Sequence, residues 1–265
     1  MIVLRSILYN LLFYVNLVVL LLVAFVAMLL PKIAVIRMSQ AWGRTSVWLL
    51  RVVCGTKVEF RGLEKLPAGP LIIAAKHQST WETFALLRLL DDFAFVVKRE
   101  LMWIPIFGWC MWRARMIPVD RSGGEKSHAA LDAAERVLRR GELFGIFPEG
   151  TRSRDGMLYK GHTGAARLAL KLGCPIFPVG IVGTREIQPP DAPMPRLGGR
   201  VKIAIGRPID VSRYVSRSVD PMVLREITDE LMFEIRELTG QEYRNTYATK
   251  KRTETIVAET AEIPR

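Results

Sequence analysis

From Ser6 to Leu30 the chain reads SILYNLLFYVNLVVLLLVAFVAMLL, 25 residues without a charge. As a helix this run extends about 37 Å at 1.5 Å per residue, more than the roughly 30 Å hydrocarbon core of a bilayer. Such a segment reads as membrane-associated. A cleaved signal peptide is the competing reading, but its apolar region spans about 7 to 15 residues and ends at a small-residue site. Here the run is longer and no A-x-A follows it. Beyond Pro31, Arg37, Arg44 and Arg51 recur every seven residues, along one face of a helix, with Trp42 and Trp48 among apolar neighbours. Two readings fit that face: an amphipathic helix lying in a membrane interface, or a solvated basic face packed on the next domain. Hydropathy does not decide whether the first segment spans the bilayer or doubles back at Pro31.

Charge follows the same division. Residues 1 to 58 contain Arg5, Lys32, Arg37, Arg44, Arg51 and Lys57 but no Asp or Glu, so they carry +6 of the +12 net charge. Nucleic-acid binders place such charge on polar faces, whereas here it flanks greasy sequence, which favours an anionic membrane surface and no nucleic acid. Cys54, Cys110 and Cys174 are odd in number and widely separated, with neither metal-ligand spacing nor a disulfide framework. That usage fits a reducing, cytoplasm-facing compartment.

From residue 57 on, β-rich runs alternate with helical patterns. KVEF, LIIAA, FAFVV, RMIPV, LFGIFP, PIFPVGI and VKIAI read as seven strands, with helices over 80 to 91, 127 to 140, 163 to 172 and 221 to 239. The expected fold is α/β: a mixed, mostly parallel sheet of about seven strands flanked by helices, preceded by a membrane-associated helical segment. Residues 1–55 read as that anchoring segment, 56–247 as the main domain, and 248–265 as a polar, disordered tail.

In such folds ligands gather where strands end and helices begin, because backbone amides and helix N-termini there attract anions. KHQSTWET follows LIIAA, and FPEGTRSRDG follows LFGI. His77 with Glu82 is a candidate base and orienting carboxylate. An ordinary helix start is the alternative, since Ser79 to Glu82 fits a capping box with Ser79 at the N-cap and the glutamate reaching back to its amide. The second loop offers Arg152 and Arg154 as phosphate forks, Gly150 for close backbone approach, and Thr151 and Ser153 as hydroxyl donors. It is not a Walker loop. His128, at a helix start, reads as a surface residue, and His162 has no assigned role.

Four ordered blocks, HQSTWE, KRELMWIPIFG, FPEGTRS and CPIFPVGIVG, give the chain a resemblance to the glycerolipid acyltransferases that acylate lysophosphatidic acid, over about residues 57 to 210. The basic, apolar N-terminal segment is similar to that of the bacterial membrane-bound members. One departure is clear: the family's first block is written H-x-x-x-x-D, and here its last position is Glu82. The resemblance implies His77 as the catalytic base with Glu82 as its orienter. It also implies that Glu149, Gly150, Thr151 and Arg152 form the phosphate site of the acyl acceptor, with Lys98 or Arg99 assisting. Glu149 itself should repel phosphate, so orienting Arg152 or capping a turn suits it better. Trp103, Phe107 and Trp109 could line an acyl path, dip into the membrane interface or be plain core.

The activity this implies is transfer of an acyl group from acyl-CoA or acyl carrier protein to lysophosphatidic acid, giving phosphatidic acid, with the catalytic domain on the cytoplasmic face of a bacterial inner membrane. No metal and no cofactor beyond the thioester donor is expected. The same blocks would serve another lysolipid acceptor, such as a lyso-ornithine lipid. A catalytically silent lipid-binding protein is disfavoured by the intact His77 and Arg152, and a phosphate-ester hydrolase by the lack of a metal-ligand cluster.

Overall fold

The structure, a computed structural model, describes residues 2–27, 31–89, 93–119, 125–214 and 220–248. The proposed tail beyond 248 and the side chain of His128 lie outside the described residues.

Two long helices open the chain, α1 (Ile2–Ala27) and α2 (Lys32–Cys54). They run antiparallel: the Arg5 guanidinium donates to the Val53 carbonyl at 2.7 Å near one end, and the Asn16 amide donates to the Thr45 hydroxyl at 2.9 Å farther along. Pro31 cannot donate to a helix and sits at the N-cap of α2, where its φ of −55° suits a helix start. Gly55, in the left-handed region, ends α2 and returns its amide to Arg51. Arg37, Arg44 and Arg51 are all exposed, on one face as their spacing requires, with Trp48 beside them. Trp42, by contrast, is turned inward against Phe13 and Phe84.

The body then alternates strand and helix: β1 (Lys57–Arg61), β2 (Ile72–Ala75), α3 (Trp81–Leu89), β3 (Phe93–Lys98), α4 (Phe107–Arg113), β4 (Ile117–Val119), α5 (Glu125–Arg139) and β5 (Leu143–Ile146). The two-residue β6 (Leu158–Tyr159), α6 (Gly164–Leu172), β7 (Ile176–Val182), the single turn α7 (Thr184–Ile187), β8 (Arg200–Ile205), α8 (Pro221–Thr239) and β9 (Tyr243–Arg244) complete it. All seven strands read from the sequence join one sheet, in the order β1-β8-β7-β2-β5-β3-β4. Every pairing in it is parallel except β7 with β8. The short β6 and β9 pair separately, and neither is visible in the sequence pattern.

The sheet is buried on both faces, which is why its central strands are apolar without alternation. Ile72 and Ala74 face a layer of α5, α6 and α8, where Val137, Leu168 and Ile227 pack. Ile73 and Ala75 face the opposite layer, formed by α3, α2 and the Tyr9 end of α1. The inner face of the N-terminal hairpin therefore belongs to the same core as the sheet: Val47, Leu50 and Cys54 pack in one cluster with Trp81, Leu86 and Val179. On α1 the opposite face, including Leu4, Leu11, Val18, Leu22 and Val26, is exposed.

Candidate active site

β2, β5 and β3 run parallel and in register, so the loops that follow them emerge along one edge of the sheet. The loop after β2 carries Lys76, His77 and Gln78, and the loop after β5 carries Phe147 to Ser153. The two are tied directly, the Ser153 amide donating to the His77 carbonyl at 2.9 Å.

His77 Nδ1 lies 2.6 Å from Glu82 Oε2. The imidazole is nearly buried and stacks on Phe147 with ring centres 3.8 Å apart and an interplanar angle of 12°. Glu82 is fully buried. Besides the imidazole, its carboxylate accepts the Gln78 amide at 2.8 and 3.0 Å and the Thr184 hydroxyl at 2.5 Å. An isolated carboxylate would be costly at this depth, and these donors are what keep it there. The capping-box expectation needs correcting. α3 begins at Trp81, Ser79 Oγ accepts the Trp81 amide, and Glu82 reaches back to Gln78 rather than to Ser79. The Gln78 side chain is also anchored, donating to the Ile181 carbonyl and accepting from Gln241. The longer side chain at a position usually held by Asp thus still meets the ring.

In the second loop Arg152 donates to the Thr80 hydroxyl at 2.9 Å and to the Pro190 carbonyl at 3.1 Å. The guanidinium is thereby held beside the start of α3, three residues from His77 in sequence. Gly150 has φ +72°, a conformation that favours glycine, and a Cβ there would also crowd the His162 ring at 3.1 Å. Thr151 is half-buried. Arg154 turns to Asp191, and its carbonyl accepts from Arg185.

Glu149 does not orient Arg152. It pairs with Lys76, whose ammonium lies 2.8 Å from both carboxylate oxygens and donates to the Met157 carbonyl at 2.6 Å, while the Tyr159 amide donates to Glu149 at 2.9 Å. Both side chains are essentially inaccessible. Burial pushes the Glu149 carboxyl upward, with the Lys76 ammonium pulling it back. Lys76 was missed in the sequence. Its signal is a lysine closing the otherwise apolar run LIIAAK, where a free ammonium would be too costly to bury.

Lys98 and Arg99 stand at the end of β3, both exposed, Lys98 with its ammonium 3.2 Å from Glu100. They share the sheet edge with His77. Trp103 and Trp109 are exposed at 70% and 48%, and Trp112 at 72%, so none of the three is core. Phe107 is half-buried, its ring 6.5 Å from Trp42. The ring of Trp109 lies 6.4 Å from Phe25 of α1, which makes this aromatic surface continuous with the hairpin. Among the described residues no three metal-ligating side chains are gathered together.

A mostly parallel α/β sheet that sets a buried histidine–carboxylate dyad and an arginine-bearing loop on one edge, beside an apolar helical hairpin, defines the class. Residues 57–182 match the family model described as Acyltransferase. Over 157 residues the chain is 41% identical to 1-acyl-sn-glycerol-3-phosphate acyltransferase of Pseudomonas aeruginosa, a match covering 58% of this chain and 61% of that protein. The enzyme of the same name from Escherichia coli is 32% identical over 164 residues, 60% of this chain and 65% of that one. The chain thus spans under two thirds of the length of these relatives. The crystal structure of the 1-acyl-sn-glycerophosphate acyltransferase of Thermotoga maritima superposes with a TM-score of 0.72 at 25% identity, over 90% of this chain and 96% of that one.

Proposed function

We propose that the chain is a membrane-bound acyltransferase that moves a fatty acyl group from acyl-CoA or acyl carrier protein to the sn-2 hydroxyl of lysophosphatidic acid, giving phosphatidic acid. The observation that carries this reading is the 2.6 Å contact between His77 and a buried Glu82 inside the family-matched segment. With Nδ1–H held by Glu82, Nε2 is the nitrogen that takes the acceptor's proton. The freed oxygen attacks the thioester carbonyl, the C–O bond forms, and collapse of the tetrahedral intermediate breaks the C–S bond. The proton on His77 passes to the departing thiolate. Glu82 stabilises the imidazolium in between, much as a buried aspartate does in a catalytic triad. Thioesters are already activated, so positioning and proton transfer account for most of the work, and no metal or further cofactor is invoked.

Arg152 is the phosphate fork of the acceptor, with Gly150 and Thr151 beside it, and Lys98 and Arg99 supply further positive charge at the same edge. For the membrane, the supporting features are the outward apolar face of α1, the exposed Arg37, Arg44 and Arg51, and the outward Trp48, Trp103 and Trp112. Leu4–Val26 is long and apolar enough to cross a bilayer. The excess of positive charge near this segment favours a catalytic body on the cytoplasmic side of a bacterial inner membrane.

The test is to incubate purified protein with both thioester donors and a panel of lysolipids, a lyso-ornithine lipid included, and to identify products by mass. Phosphatidic acid should dominate, and His77→Ala should lower turnover by about 10² to 10⁴. Arg152→Lys keeps the charge but loses the paired donors, so the acceptor KM should rise more than the donor KM. Acylation of only the lyso-ornithine lipid, or a fully active His77→Ala, would sink the reading.

A further inference from the structure

Thr184 lies just after the fourth sequence block, at the start of the single-turn α7, 102 positions along the chain from Glu82. Its side chain is 1% exposed and its hydroxyl donates to Glu82 Oε1 at 2.5 Å, the oxygen opposite the one that meets His77. We infer that Thr184 is a positioning residue for the dyad: its hydroxyl fixes the rotation of the Glu82 carboxylate and thereby the orientation and basicity of His77.

A glutamate has one more rotatable bond than an aspartate, so its carboxylate needs a stop that an aspartate does not. Two donors supply it: the Gln78 amide, four residues before Glu82 in the chain, reaches both oxygens, whereas the Thr184 hydroxyl, from just beyond β7, meets Oε1 alone. Gly183, with φ +91°, makes the tight approach there, where a Cβ would stand 1.9 Å from the Arg200 carbonyl oxygen. The hydroxyl also has an electrostatic effect. Its positive end draws off part of the carboxylate's negative charge, so less of it is felt by the imidazolium.

The Lys76–Glu149 pair belongs to the end of β2 and the loop after β5, and the Glu149 carboxylate also feels the negative charge of Glu82. Arg152 reaches Thr80 at the start of α3. On α7, Arg185 turns away to the Arg154 carbonyl.

The experiment compares Thr184→Val and Thr184→Ser in the full-length, detergent-solubilised protein, with two readouts. By nitrogen-15 NMR the His77 ring is titrated, its signals assigned by loss in His77→Ala among the three histidines of the chain. In the valine variant the titration should move to higher pH by up to about one unit, because the carboxylate regains its full pull on the imidazolium. The kinetic arm, which rests on the acyl-transfer reading, expects a kcat about 10- to 100-fold lower with little change in acceptor KM, and an acid limb displaced in the same direction. Serine should restore both. A purely structural role would lower thermal stability yet leave the histidine titration in place. Wild-type titration in Thr184→Val, or a serine variant as impaired as valine, overturns the inference. Thr184→Ala, which admits water to the space, serves the same test should the valine variant not fold. Because the titration needs no turnover, its result stands apart from any failure of the acyl-transfer assay.

Discussion

At the scale of single residues, the buried Lys76–Glu149 pair and the Glu82 carboxylate show two ways of holding charge in an interior. One is neutralised by a partner of opposite sign, the other by hydrogen-bond donors alone. They should respond differently to mutation. Glu149→Leu strands an ammonium that is 0% exposed, and breaking a buried pair in this way costs about 3 to 5 kcal/mol. Adding Lys76→Met should recover most of that loss, since an apolar pair of similar volume is often as stable as the ion pair. Chemical denaturation of the two variants measures this, and a double mutant no better than the single would mean that the Met157 and Tyr159 contacts, not the charge, are what matter. Neither partner's role was visible from a loop motif alone. FPEGTR advertises Glu149 beside Arg152, and neighbours in sequence invite pairing, but the turn at Gly150 sends the two side chains apart. Lys76 could have been found, because a lysine that ends a buried strand must have an acid waiting.

Between elements, a second carboxylate does the joining. Glu142, which is 6% exposed, stands before β5 and receives Lys32 from the start of α2 at 2.8 Å, Arg115 from the turn before β4 at 2.5 Å and Arg140 from the end of α5 at 2.8 Å. Burial alone would raise its pKa, but the hydrogen bonds from Arg140 and Lys32 prevail and hold it below the usual carboxylate range. A depressed folded pKa means that the stabilisation is present above the unfolded value of about 4.5 and is lost as pH falls through the folded one. Below about pH 4.5, then, the start of α2 should loosen, and Glu142→Gln should produce the same loosening at neutral pH. Amide hydrogen exchange over residues 32 to 40 reads both. Equal protection in the variant and the wild type at neutral pH would show that packing alone seats the helix. Elements of this kind divide sharply in how far they can be read beforehand. The central strands β2, β3, β5 and β7 were legible because buried strands are short apolar runs, β8 because its apolar residues alternate with polar ones, and α8 because its 3.6-residue period and its Asp220–Pro221 start are both in the sequence. β6, β9 and α7 were not, since two- to four-residue elements depend on partners far along the chain. Thr184 was hidden with them, outside any block that pattern reading singles out.

Across the whole molecule, apolar and basic surfaces coincide on the hairpin and on the aromatic stretch around α4. On the proposed membrane attachment, high salt, which shortens the screening length to about 3 Å at 1 M, should remove the contribution of Arg37, Arg44 and Arg51 and leave an apolar contact of α1 with hydrocarbon intact. The protein should therefore remain in the membrane pellet after washes with salt and alkaline carbonate, and brominated lipids should quench its tryptophan fluorescence through Trp48, Trp103 and Trp112. Release by salt alone would mean that the arginines are the main attachment. The hairpin's other face has a different consequence. Because Leu50 and Cys54 share a core with Trp81, and Phe84, two residues past Glu82, packs on Trp42 and Phe13, the N-terminal hairpin is one wall of the α/β body. If the proposed function holds, a protease cutting near Gly55 should not set free an active fragment, because the hairpin shares the sheet's core. The fragment left behind would carry an open apolar face where the helices had been, and would be cleared by aggregation or degradation. On the proposed membrane reading, attachment is a condition of folding rather than a leash.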